Sequence, residues 1–424
     1  MATITSNSIP EFDATFRKYL IEYTITLEEG ETINSLEVVS SAPTWCNVKN
    51  SSITNYSVEI ELSTNNSLSS REAIITIELD TSISVYNDKI TIRQSGFKIF
   101  PIWQDRIVRI NTDAISVKYD VRYNNKKIFA GKAYVMPNTD YVEIDIAKIC
   151  ASYLNSSLEG IIDAPKSFNA LEGVRQFGLY VNDELHSSYL MFNSYTYKPN
   201  PEYLIENGNY FVCLSDPIRK ECDSRQYIVY SFFNALTTSA IIKTFHFNKD
   251  GINQVEFSGQ VNGRTLYTTF EKVPEGDINR VTLINDSYSI KDTCCKYCLY
   301  YQNALGGWDS FLINGNDKKT DKITSYKYIK AINNNTKKFG TKKYLNIINS
   351  SYKLYTNHLT DDEASRMHHL LESTEVYLHN LEDDTIIPVN ITNSSCEYKT
   401  FTNNGKKKFT YQIDVEESQT KIRQ

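Results

Sequence analysis

The chain has 424 residues, 41% of them hydrophobic, with a formal net charge of −6. That length exceeds one ordinary core and points to several domains, and the acidic balance argues against a nucleic-acid partner, which asks for a basic face. No run of 18 apolar residues occurs, so no membrane-spanning helix is expected, and no block of five like charges suggests a charged tail.

Met1–Leu20 is polar and lacks an apolar core, so no signal peptide is expected. Synthesis and retention in a cytosol follow as the expectation, with free thiols as the default for the eight cysteines. Cys295 and Cys298 form a C-x-x-C, but a structural zinc site asks for a second pair or matching histidines nearby. The segment reads instead as a strand in which cysteine packs as a small apolar residue. No cofactor and no metal site are expected.

In chain order, Glu22–Leu27, Leu36–Ser40, Tyr56–Leu62, Ala73–Leu79 and Lys89–Gln94 are short alternating or apolar runs separated by Ser, Asn, Thr and Asp clusters. With no helical period, they fit a small antiparallel sandwich of immunoglobulin type. Trp45 is its expected core anchor, and Arg71 is placed to pair across the edge or to cover the Trp45 ring. Ala42-Pro43-Thr44-Trp45, Arg71-Glu72-Ala73-Ile74-Ile75-Thr76-Ile77 and the closing Ile92-Arg93-Gln94-Ser95-Gly96 resemble the BACON domain. This is an immunoglobulin-like module of Bacteroidota proteins and crAss-like phages. The resemblance covers about residues 20–97 and implies a glycan-binding role.

Phe97–Trp103 reads as a boundary and first strand. Ile107–Ile110, Ile115–Tyr123 and Lys127–Met136 follow, with Asn124-Asn125 as a hairpin signal. A short helical turn over Ala147–Leu154 comes next, then strands at Phe177–Val181 and Ser188–Tyr195. Ser215-Asp216-Pro217 punctuates the chain before Gln226–Asn234, Thr238–Phe247, Gln254–Gly259 and Thr265–Phe270, a third β unit. Lys296–Asn303 and Trp308–Leu312 are two strands around Gly306-Gly307. Ser325–Ile332 and Lys342–Tyr355 are long strands. Thr360 and Glu363 form a capping box opening a helix over about Asp361–Ser373, with Met367, Leu370 and Leu371 as its buried stripe. His368 and His369 are adjacent, so they point apart and do not form a metal pair. Further strands follow at Val376–Asn380, Ile386–Thr392, Glu397–Thr400 and Lys408–Glu416.

Tyr300–Asp309, Leu371–Thr374, Val376–Asn380 and Val415–Gln419 resemble structural proteins in the tails of phages that infect Bacteroidales. Phe100–Leu154, with Gly131-Lys132-Ala133-Tyr134, resembles the same group. The resemblance implies a virion component assembled in the host cytoplasm, with other copies of itself and other virion proteins as partners. Trp308, Tyr300 and Tyr301 are then the candidate subunit-interface anchors.

No nucleophile elbow, zinc-protease motif, P-loop or dinucleotide fingerprint is present, so no catalytic residue is assigned. The expected architecture is mostly β in four parts: 1–97, an immunoglobulin-type sandwich; 98–214, a second sandwich with a short helix; 215–292, a third β unit; and 293–424, an α+β assembly domain. The expected function is that of a non-enzymatic virion structural protein, in a tail or collar ring, hub or fibre attachment. The competing expectation is a carbohydrate-binding or adhesion protein, with a host glycan as its partner.

Overall fold

The computed structural model describes residues 3–6, 12, 17–54, 56–63, 65, 70–96, 99–165, 168–194, 211–214, 220–234, 239–261, 265–273, 276–283, 286–330, 340–357, 359–393, 402–403, 406–407 and 410–423. The protein is mostly β, built from several separate sheets. It divides into two compact units, the first holding Met1–Leu154 and Val174–Phe192, the second Asn155–Gly173 and Phe211–Gln424. Among the described residues no helix is long and apolar enough to cross a membrane.

The first unit begins with seven strands: β1 (Thr3–Ser6), β2 (Arg17–Thr26), β3 (Ile33–Ser40), β4 (Cys46–Ser52), β5 (Ser57–Leu62), β6 (Arg71–Thr81) and β7 (Val85–Gln94). They form one sheet in the order β1-β2-β5-β4 and another in the order β3-β6-β7. Lettered in sequence, that is the ABED and CFG arrangement of the constant-type immunoglobulin sandwich. Period-two alternation produces it. In β6, Ala73, Ile75, Ile77 and Leu79 point inward and are buried, while Glu72, Ile74 and Glu78 are exposed. Trp45 is half-buried against this core, and the Arg71 guanidinium lies 4.3 Å from its ring centroid. Arg71 also donates to Gln94 Oε1, 2.7 Å from Nη2. The tryptophan is therefore a lidded edge of the core rather than its centre.

The same unit continues with β8 (Ile99–Pro101), β9 (Ile107–Asn111), β10 (Ser116–Tyr123), β11 (Lys126–Tyr134), β12 (Tyr141–Asp145), β14 (Val174–Val181) and β15 (Glu184–Phe192). A five-stranded sheet β11-β10-β14-β15-β8 and the pair β12-β9 enclose a second core with the short helix Ala147–Ala151. Asn124-Asn125 and Asn182-Asp183 are two-residue hairpin turns with positive φ at both positions, the conformation that Asn and Asp tolerate best.

In the second unit, β13 (Asn169–Leu171), β16 (Phe211–Cys213), β18 (Tyr227–Asn234) and β21 (Thr265–Lys272) form one sheet, in the order β13-β21-β18-β16. β17 (Lys220–Asp223), β19 (Ala240–Asn248), β20 (Asn253–Val261), β22 (Ile278–Leu283) and β23 (Asp286–Lys291) form another. The third core lies within this set, with Tyr230, Phe232 and Tyr288 buried. Residues 155–173 belong to the second unit and supply strand β13 to the third module.

The C-terminal module is an eight-stranded sheet. Its members are β24 (Tyr297–Gln302), β25 (Trp308–Ile313), β26 (Asp317–Lys330), β27 (Gly340–Tyr355), β28 (Val376–Asn380), β29 (Thr385–Ile391), β32 (Gln412–Glu417) and β33 (Lys421–Arg423); the two-residue strands β30 (Thr402–Asn403) and β31 (Lys406–Lys407) pair apart from it. Its edge-to-edge order is β25-β24-β28-β29-β32-β27-β26, with β33 on β27. The helix Asp361–Glu372 opens on the Thr360–Glu363 capping box and packs Ala364, Met367 and Leu370 into the core. Leu371 packs against that core half-buried. The strands expected at Glu397–Thr400 and over Lys408-Phe409 lie outside the described residues.

Candidate functional site

The three aromatic residues expected to anchor a subunit interface are fully buried inside the chain. β24 alternates between two interiors. Tyr297, Leu299 and Tyr301 join the C-terminal core. Tyr300 points the other way, packing edge-on against Phe270 of the third module at 5.2 Å. Buried on both faces, the strand reads as a continuous apolar run, which in sequence is indistinguishable from an exposed sticky one.

Trp308 opens β25, where its indole N–H donates to the Ser156 carbonyl at 2.5 Å and its backbone N–H to Ser231 Oγ at 2.7 Å. The turn before it needs both glycines. Gly306 has φ +87°, and a Cβ on Gly307 would stand 2.5 Å from the Leu214 carbonyl oxygen. Asn303 shapes the turn, accepting from the Leu305 and Gly307 amides and donating to the Leu214 carbonyl and to Asp309 Oδ2.

Charge is buried alongside. Lys220 Nζ, on β17, lies 2.6 Å from Asp309 Oδ1, and both side chains are 1% exposed. Arg366, on the buried face of the helix, donates to the Ser310 carbonyl at 2.7 Å. A pair so desolvated is kept by geometry and extra hydrogen bonds, not by Coulomb attraction alone. A second polar chain runs outward: Tyr300 Oη lies 3.2 Å from His379 Nδ1, His379 Nε2 lies 3.0 Å from Asp384 Oδ1, and Lys272 donates to Asp384 Oδ2 at 2.5 Å. Burial pushes the Tyr300 hydroxyl well above its ordinary range and holds the His379 imidazole below its own. Burial raises the Asp384 carboxyl, but the hydrogen bonds from Lys272 and His379 outweigh it and leave it lowered. Asp384, Lys272 and Arg225 border an open cleft of about 480 Å³. With Tyr300 hydrogen-bonded to both backbone groups of Tyr227, the chain fastens the third module to the C-terminal sheet.

Sequence reasoning missed Lys220, Arg366, His379 and Asp384 as partners: apart from His379 with Asp384, five residues away, each meets its partner across 50 residues or more. Asp309, Arg366 and His379 stood inside segments already singled out, Tyr300–Asp309, Asp361–Ser373 and Val376–Asn380, but without their partners. Cys298 is buried on β24, where burial raises its thiol well above the ordinary value. Among the described residues no group of three or more His, Cys, Asp or Glu side chains is placed to hold a metal ion.

The opposite edge of the same sheet is exposed. β26 and β27, of 14 and 16 residues, pair from Asp317 opposite Leu354 to Lys330 opposite Gly340, yet among the described residues β27 meets strands other than β26 only from Asn346 onward. Tyr326–Lys330 and Gly340–Leu345 therefore form a two-stranded arm, about 17 Å long at the usual rise per residue. Tyr344 lies between Tyr326 and Tyr328, tilted to the first at 6.4 Å and edge-on to the second at 6.2 Å, and Ile329 is 83% exposed.

No family model matches the chain, and no curated protein matches it. Among solved structures, an endo-fucoidan hydrolase from glycoside hydrolase family 107 is similar over 69% of this chain at 9% identity, with a TM-score of 0.20. The chain spans 44% of that enzyme's length. The I9–I11 tandem from titin is similar over 69% of this chain and 99% of its own, at 7% identity and a TM-score of 0.14. Likenesses of this size carry no argument about what the chain does.

Proposed function

We propose that the chain is a structural protein of a virion, a tail or collar component that assembles through contacts between subunits. The observation that supports this reading is the arm. An isolated two-stranded ribbon is marginal in water, and exposed Ile and Tyr side chains on it mark an interaction surface. Behind it, a buried polar seam ties two β-modules together, as a part that transmits load between neighbours requires. The phage assignment rests on the sequence resemblance stated above. The competing glycan-binding reading is weakened at one place, because the Trp45 ring that would serve as a sugar platform is covered by Arg71. Cryo-electron microscopy of purified phage particles tests the proposal. Density for this chain in repeated copies at the tail or collar is the expected result. Absence from the particles, with the purified chain binding glycans as a monomer, contradicts it.

A further inference from the structure

Among the described residues, exposed like charges stand directly opposite each other at four cross-strand positions, Lys118–Lys132 and Lys318–Lys353 among them, and the other two are of opposite sign to each other. On the arm, Lys327 is paired in register with Lys343. On the N-terminal sandwich, Glu37 of β3 is paired in register with Glu78 of β6. All four side chains are exposed. Like charges at directly opposed positions destabilise the strand pair that carries them, so each pair is locally unfavourable.

The positions beside them also correspond. Two residues on from the lysine pair, on the same face, stand Ile329 and Thr341, in register with each other. Two residues from the glutamate pair, on the same face, stand Val39 and Thr76, again in register. One surface thus reads Lys-Lys beside Ile-Thr, the other Glu-Glu beside Val-Thr. Val39 is 51% exposed, and Ile74 extends the apolar strip along β6 at 44%.

The charge distribution agrees at larger scale. Residues 322–343 contain seven lysines and no carboxylate, whereas residues 1–97 carry thirteen carboxylates against six cationic side chains, a net of −7. Arm-to-arm pairing is opposed by this lysine density, a known guard on exposed edges. A phosphate backbone would meet the lysines but offers no apolar counterpart for Ile323 and Ile329, exposed at 58% and 83%.

We infer that the arm of one copy docks face to face on the outer β3-β6-β7 sheet surface of a second copy, with Lys327 and Lys343 over Glu37 and Glu78. Arm and acceptor are different surfaces, so the contact is head-to-tail, and it closes into a ring where the rotation permits. The inference rests on the assembly reading above and names its interface.

The test uses the full chain and two charge-reversal variants, Lys327→Glu with Lys343→Glu, and Glu37→Lys with Glu78→Lys, followed by sedimentation velocity over a concentration series. The wild type self-associates, and added salt weakens it. Each variant alone places like charges across the contact and weakens association by about 100-fold. Mixing the two variants matches every arm with an acceptor of opposite sign and restores assembly, which a misfolded variant would not do. A wild type that stays monomeric, variants that associate like the wild type, or a mixture that does not recover each overturns the inference. Loss of binding to a labelled DNA duplex in the arm variant, with self-association unchanged, overturns it in favour of an anionic polymer. Self-association that ignores both variants removes this interface and leaves the assembly reading standing, whereas absence of the chain from particles removes that reading and leaves the charge-swap result intact.

Discussion

The two edges of the C-terminal sheet use similar residues for opposite ends. At the β24–β25 edge, Tyr300, Tyr301 and Trp308 are fully buried with Lys220, Asp309 and Arg366 among them. At the β26–β27 edge, Tyr326, Tyr328 and Tyr344 stand exposed among lysines. Residue type does not separate the two. What separates them is whether another element of the same chain covers the strand: the third module and a helix cover the first, and no described strand beyond β26 covers the second.

The comparison breaks most easily at its buried edge. Trp308→Ala removes a fully buried side chain and its hydrogen bond to Ser156, and should cost about 3–5 kcal/mol in denaturant unfolding. A cost below about 1 kcal/mol would place the ring at a surface after all. Asp309→Leu alone strands the buried Lys220 ammonium and should cost about 3–5 kcal/mol. Adding Lys220→Met should return much of that, because the pair is then replaced by packing. Losses that simply add would show that the two groups act independently.

His379 sharpens the account through pH. Its folded pKa is lowered by burial, so the unfolded chain binds the proton more readily. The stability that the neutral ring contributes is present above about pH 6.5, the unfolded value, and is lost as the pH falls through the lower folded value. The wild type should therefore lose stability below pH 6.5 more steeply than His379→Gln, read as unfolding midpoints across the acid range. Equal slopes would remove His379 from the seam. The smallest expected effect is at the exposed edge, where Tyr328→Ser with Ile329→Ser should change unfolding free energy by no more than about 0.5 kcal/mol while lowering self-association.

Much of the architecture was legible in sequence. Alternation in Arg71–Thr81 gives the inward face of β6, Asn124-Asn125 gives a hairpin, and Thr360 with Glu363 gives the helix start, because each is a local signal. The seam was not legible. A strand buried on both faces loses its alternation, so Tyr300 and Tyr301 look like a sticky surface, and the ion pair joins positions 220 and 309. The detour of residues 155–173 into the third module is equally non-local, since β13 is only three residues long and finds its partner in β21.

The central claim is that the arm is a contact surface and the Tyr300–Asp309 edge an interior. Amide hydrogen exchange on the full chain, dilute and then concentrated enough to associate, tests it most directly. The account predicts added protection across Tyr326–Lys330, Gly340–Leu345, β3 and β6, with Tyr297–Ile313 strongly protected and unchanged in both states. Added protection at Tyr297–Ile313 on association, with the arm unaltered, would contradict it.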